Sequence, residues 1–245
     1  MSEDRVLQVP ARLVDGVIAP EMAMEDLRAE VMEAGRIVML KGVFADADAT
    51  AVRTAVADWG RTTPLADVDD FAGNYHRRRC MISRLQQAPH VFHDYNFNDL
   101  DQAPEVLRER LRSLFDPLRG LYRELTGTAT TFAVPESGPY VHPQLIHYPA
   151  GGGFFARHWH NLEPQQLGFI VSLSKRGRDY RNGGTVFQIG DDRVETETVQ
   201  DIGDICLWRY DHPHWVTQSD LGDKFDWDSD AGRWVATYAY FDPRG

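Results

Sequence analysis

From residue 143 onward the chain breaks into short runs of β-branched and aromatic residues, QLIHY, QLGFIVSLS, GTVFQIG, ICLWRY and RWVATYAYF, separated by Gly, Asp and Asn. Runs of this length and composition read as strands, and their close spacing leaves no room for crossover helices between them. The spacing predicts a β-sandwich or barrel for the second half. The first half differs. Residues 25–34 place Leu27, Val31 and Met32 on one face of an amphipathic helix that Gly35 ends, and RIVMLKGVF follows as a short buried strand. Residues 46–59 predict a second helix, with Asp48 as its N-cap and Gly60 as its stop. Residues 104–125 predict a longer one, interrupted or bent near Pro117. These helices are expected on one outer face of the barrel.

The hydrophobic fraction of 42% in 245 residues suffices for one substantial core, and no composition break or repeat divides it. A single domain over 1–245 is expected, with a helical N-terminal part and lid elements in 1–135 and the β-barrel core in 136–245. The net charge of -11, with no run of Lys and Arg, argues against nucleic acid or an anionic membrane as partner. With two cysteines, Cys80 and Cys206, neither a disulfide framework nor a CxxC metal site is available. MSEDRVLQVP lacks a signal-peptide core, and no stretch approaches the roughly 20 apolar residues of a membrane span, so the expected location is the cytoplasm.

Chemistry concentrates in the barrel half. GGGFFARHWH places His158 and His160 two apart, and side chains two apart on a strand share a face, so both can reach one metal. A third ligand then comes from a distant strand, where YDHPHW offers His212 and His214. Such a three-sided site leaves positions open opposite the protein ligands. Gly151, Gly152 and Gly153 are not a phosphate cradle, because a strand follows them. In the last strand Arg233 shares a face with Val235, Thr237 and Ala239, and an arginine facing a barrel interior is expensive unless it meets an anion. On the strand before the histidine pair, Gln144, Ile146 and Tyr148 share a face, which makes Gln144 and Tyr148 hydrogen-bonding candidates.

YPAGGGFFARHWH, FIVSLSKRGRDYRNGGTVF, IGDICLWRYDHPHWV and GRWVATYAYF, in this order, resemble four consecutive blocks of the Fe(II)/2-oxoglutarate-dependent oxygenases of the phytanoyl-CoA hydroxylase and prolyl hydroxylase type. The resemblance extends to EAGRIVMLKGVF near the start. It implies a mainly β fold with α elements, a double-stranded β-helix (jelly-roll, cupin-like) core with the N-terminal helices packed outside. It implies iron bound by His158, His160 and His214, Arg233 on the distal carboxylate of 2-oxoglutarate, and O2 as oxidant. The implied activity is hydroxylation, desaturation or cyclisation, and the expected substrate is a small molecule such as an amino acid or natural-product intermediate. That family often carries a hydroxyl residue two positions after the arginine; here Val235 stands there, leaving Thr237 or a tyrosine for the contact.

One position departs from the family. His160 stands where its pattern has a carboxylate, and three neutral imidazoles leave the metal one charge unit more positive. Glu163 is an alternative ligand, since His158, His160 and Glu163 are similar to the first cupin motif, though a bulge is needed to bring it inward. A three-histidine cupin-type dioxygenase without 2-oxoglutarate, and a non-catalytic metal- or ligand-binding barrel, are the two rival readings. Substrate contacts are expected from Arg79 and Arg84 in the cation-rich run 75–85, and from His93 and Tyr95 in HVFHDYNFND, read as a lid loop. Oligomeric state is not readable from this sequence.

Overall fold

The computed structural model describes residues 5–67, 73–82, 88–132 and 138–242. A hairpin of β1 (Val6–Val14) and β2 (Val17–Pro20) leads to α1 (Met24–Arg28), which continues as a π-helical turn, Ala29–Glu33, and then to β3 (Ile37–Lys41). Next come α2 (Asp46–Thr62), β4 (Asn74–Met81), β5 (His90–Phe97) and α3 (Glu105–Thr126). The remainder is β6 (Tyr140–Pro149), β7 (Phe154–His158), β8 (Leu167–Ser172), β9 (Gly184–Ile189), β10 (Asp192–Glu195), β11 (Ile205–Arg209), β12 (His214–Thr217) and β13 (Gly232–Phe241).

All thirteen strands join one hydrogen-bonded array in the order β10-β9-β12-β7-β5-β6-β13-β8-β11-β3-β1-β2, with β4 added beside β5. The fold is a jelly-roll, mainly β with helices outside, as the sequence predicts. Its two faces bury separate clusters because side chains alternate along every strand. Ile37 and Met39, Cys206 and Trp208, Phe187 and Ile189, with Tyr148 and Val235, fill the barrel interior. Their neighbours Val38 and Leu40, Ile205 and Leu207, Trp234 and Ala236 face outward into a second cluster with α2 and α3. From α3, Leu107, Leu111, Leu114, Leu118, Leu121 and Leu125 supply the covering stripe. Among the described residues no helix is long and apolar enough to cross a membrane.

Three local expectations are corrected. The opening is not helix, strand, helix: β1 and β2 precede α1, and β1 pairs in parallel with β3 from Val6 opposite Ile37 to Pro10 opposite Lys41. The apolar signal there is thin, because of β1 only Val9 and Ala11 are buried. In α2, Ala45 occupies the N-cap with no side-chain bond, and the helix runs past Gly60 to Thr62. Gly60 is a packing residue, since a Cβ there would meet the Tyr95 ring at 2.6 Å. Finally, HVFHDYNFND is no lid loop. It forms β5, paired with β4, β6 and β7, and seven of its eight residues are buried. Residues before 136 thus supply five of the thirteen strands as well as helices.

Candidate metal centre and acid pocket

Two strands set the candidate metal site. β7 and β12 pair antiparallel with His158 directly opposite His214, and the register shifts just beyond, between His214 and Val216. His160 lies two residues past the end of β7, stacked on Tyr210 with ring centroids 4.2 Å apart. The three histidines offer one ligand nitrogen each, all within 4.8 Å of one another. Two of the rings are fixed from behind by one device: His158 Nδ1–H donates to the Ala156 carbonyl and His214 Nδ1–H to the His212 carbonyl, both at 2.8 Å. That tautomer leaves each Nε2 lone pair available, as a metal-bound imidazole requires. Burial lowers all three pKa values, with His160 down to about 4 and His214 well below the ordinary range, so the rings are neutral near pH 7. Three neutral imidazoles on one side suit a divalent transition metal and leave its opposite positions open.

The alternative ligands lie elsewhere. Glu163 is exposed, receives a hydrogen bond from Gln166 Nε2 at 3.2 Å, and is not in the cluster. The His212 ring turns away toward Gly35, whose carbonyl accepts from its Nε2 at 3.0 Å. It is the backbone of His212, not its ring, that orients His214.

The histidines open into a cavity of about 230 Å³ lined by Tyr148, Ile170, Trp208 and Val235, with Arg233 and Thr185 in its wall. The β13–β6 register places Arg233 opposite Tyr148 and Thr237 opposite Gln144, which brings all four predicted pocket residues to one wall. Tyr148 lies under the guanidinium, 5.8 Å from ring centroid to Cζ, and burial pushes its hydroxyl up to about 12. Gln144 donates to Asn96 at 3.1 Å. The Thr237 hydroxyl is engaged by the Phe169 carbonyl at 2.9 Å, so the hydroxyl on the arginine is that of Thr185, 2.7 Å from Arg233 Nη2.

Sequence reasoning missed the other partner of Arg233. Its Nε donates to Glu197 Oε1 at 2.7 Å, and the two side chains are 2% and 4% exposed. Burial is the largest single influence and disfavours the guanidinium's charge, but Glu197, Tyr180 and Tyr148 together outweigh it and the pKa is raised. Glu197 also receives the Thr185 N–H at 3.1 Å and the Tyr180 hydroxyl. The one signal in the chain is GGT at 183–185: a Cβ on Gly184 would come within 1.8 Å of Glu197 Cγ.

A groove of about 370 Å³ shares His158, His160, Phe155, Ile146 and Gln144 with the cavity and adds Arg79, His90, Phe92 and the exposed Trp159. Arg79 from β4 faces Asp94 at 3.5 Å and lies over the Phe92 ring. His93 and Tyr95, by contrast, point to the opposite side of β5, toward α2, where they line a separate cavity with His76 and His147. The reason is strand parity: His90 and Phe92 share the face of Phe155, and the odd-numbered residues take the other. Arg84 lies outside the described residues.

No protein-family model and no curated protein matches this sequence. Solved structures do match in fold. A prolyl hydroxylase from Trichoplax adhaerens, in complex with a hypoxia inducible factor oxygen degradation domain peptide fragment, is similar at TM-score 0.58 and 15% identity over 90% of this chain and 91% of that one. A Pseudomonas putida prolyl-4-hydroxylase is similar at 0.57 and 13% identity, over 90% of this chain and all of the other. The non-heme alpha ketoglutarate dependent epimerase SnoN from nogalamycin biosynthesis is similar at 0.56 and 13%, covering 90% and 83%. The chain has the fold of these oxygenases.

Proposed function

We propose that the protein is a non-haem Fe(II)/2-oxoglutarate-dependent oxygenase acting on a small molecule. The observation that carries this is the convergence of His158, His160 and His214 on one cavity whose wall holds the buried Arg233. Those three imidazoles would hold iron, which when loaded with 2-oxoglutarate supplies O2 activation coupled to oxidative decarboxylation of the cosubstrate. The chain does the rest. Arg233 and the Thr185 hydroxyl present donors to the distal carboxylate, and the planar guanidinium matches a carboxylate better than an ammonium does. Ile170, Trp208 and Val235 keep that end dry, which strengthens the charge-assisted bonds. The groove beside the metal, walled by Phe155, Phe92 and Trp159, receives the substrate, and Arg79 is the cation at its edge. The neighbouring epimerase is consistent with a site whose outcome depends on the substrate presented.

One observation favours a second reading. Arg233 already has an internal carboxylate, Glu197, and a three-histidine dioxygenase that uses no 2-oxoglutarate has no need of a free arginine. Anaerobic titration of the Fe(II)-loaded protein with 2-oxoglutarate separates the two. A saturable visible charge-transfer band of a chelated keto acid is expected; bound iron without that band would transfer the assignment to the cosubstrate-free enzyme.

A further inference from the structure

Glu197 sits in the turn after β10, inside the barrel wall, held by Arg233 Nε, the Thr185 N–H and the Tyr180 hydroxyl. Nothing about an arginine that binds a ligand carboxylate calls for a permanent carboxylate beside it. A second anion on a guanidinium weakens the first. Yet the surroundings are shaped for Glu197: Gly184 clears its path, and burial at 4% exposure excludes water from the pair.

Charge counting supplies a reason. With a carboxylate on the metal, as in a His-x-Asp/Glu pattern, and none on the arginine, a divalent metal, one carboxylate and one guanidinium would sum to +2. Here the metal meets three neutral imidazoles and the guanidinium meets Glu197, and the sum is again +2. A dianionic 2-oxo acid neutralises either arrangement, but the charge is distributed differently. We propose that Glu197 is the balancing carboxylate of a three-histidine metal site, moved from the metal to the arginine, and that it sets the charge with which each end of the cavity meets its ligand. The proposal rests on the three histidines being the metal site.

Two consequences follow for this chain's residues. The metal end carries one more positive unit than a site with a carboxylate ligand, and the Arg233 end carries one fewer. Glu197 is therefore a positioning residue with a defined electrostatic sign. Selection for a carboxylate at the far end of a 2-oxo acid is narrower than an arginine without a carboxylate partner would give, so the margin of 2-oxoglutarate over 2-oxopentanoate, which lacks that carboxylate, is set in part by Glu197.

The test is a set of variants read by equilibrium binding under anaerobic conditions, with Co(II) alone and then with each 2-oxo acid on the metal-loaded protein. Glu197→Gln is expected to weaken Co(II) on the order of tenfold, the scale of one unit charge across a barrel at an effective dielectric constant of about 20. It should also tighten 2-oxoglutarate while leaving 2-oxopentanoate nearly unchanged. His160→Asp should move Co(II) and 2-oxoglutarate in the opposite directions, and the double variant should return both toward wild type. If Glu197 only props the arginine in place, Glu197→Gln instead loosens 2-oxoglutarate and leaves Co(II) unchanged, which overturns the proposal. Should Glu197→Gln fail to fold, Arg233→Gln must raise Co(II) affinity and Arg233→Gln with Glu197→Gln must restore it; no rise refutes the charge account. A wild-type protein that binds Co(II) but no 2-oxoglutarate would sink the oxygenase assignment alone, since the Co(II) comparisons still decide the role of Glu197.

Discussion

His158 and His214 each give the Nδ1 proton to the carbonyl two residues back, so the backbone, which no side-chain substitution removes, fixes both ring tautomers. Replacing either ring with alanine is expected to abolish stoichiometric Co(II) binding, measured by the absorption of the bound ion, with the fold intact by circular dichroism. Arg233→Ala is a different case. It strands Glu197 as a buried, unpaired carboxylate, and breaking a buried pair from one side typically costs about 3–5 kcal/mol. Urea unfolding should register that loss, and Arg233→Ala with Glu197→Ala should recover part of it; equal loss in both variants would mean the cavity, not the charge, is responsible. The placement of His158, His214 and Arg233 was legible in the sequence because each lies in a regular strand, whereas His160 reaches the cluster from just past the end of β7. Glu197 was not. In DDRVETETV it is one acid among several in a chain of net charge -11, and nothing local separates a solvated turn from a buried one. Thr185 was hidden for the same reason, its role being fixed by cross-strand neighbours rather than by its own strand.

β5 shows why a strand escapes sequence analysis when both its faces are covered. His90 and Phe92 pack on Phe155 inside the barrel, while Tyr95 and Phe97 join the outer cluster. Polar residues on both faces, His93 and Tyr95 on one and Asp94 and Asn96 on the other, erase the alternation that marked β13 so clearly. Gly60 illustrates the same limit in a helix. By helix propensity alone, Gly60→Ala in α2 should stabilise by about 1 kcal/mol. The Tyr95 ring, 2.6 Å from the new Cβ, reverses that sign, because the ring is itself wedged between His93 and Trp234. A destabilisation of about 1–3 kcal/mol is expected from the overpacking, read as a lowered melting temperature. A raised melting temperature would show that α2 slides freely on β5.

Between the barrel and α2 runs a hydrogen-bonded file of neutral groups. The Tyr95 hydroxyl donates to His93 Nδ1 at 3.2 Å, His93 Nε2–H to His76 Nδ1 at 2.8 Å, and His76 Nε2–H to the Thr63 carbonyl at 2.8 Å. His147, buried beneath Trp234, donates its Nε2–H to the Ala231 carbonyl at 3.0 Å. Both acceptor nitrogens of the file, His93 Nδ1 and His76 Nδ1, are used, so neither of those rings can take up a proton without breaking a bond. Burial, reinforced at His93 by the neighbouring His76, holds both His93 and His147 down to about 3, against 6.5 for an open imidazole. The folded state therefore binds fewer protons than the unfolded chain in the window from about 6.5 down to about 3. Stability present above pH 6.5 is lost across that window as pH falls, at up to about 1.4 kcal/mol per pH unit for each histidine. Urea unfolding at pH 7, 6 and 5 should show this slope, and His93→Gln should make it shallower by about one histidine's share. A slope unaltered by that substitution would place the acid sensitivity of the molecule outside the layer that binds α2 to the barrel.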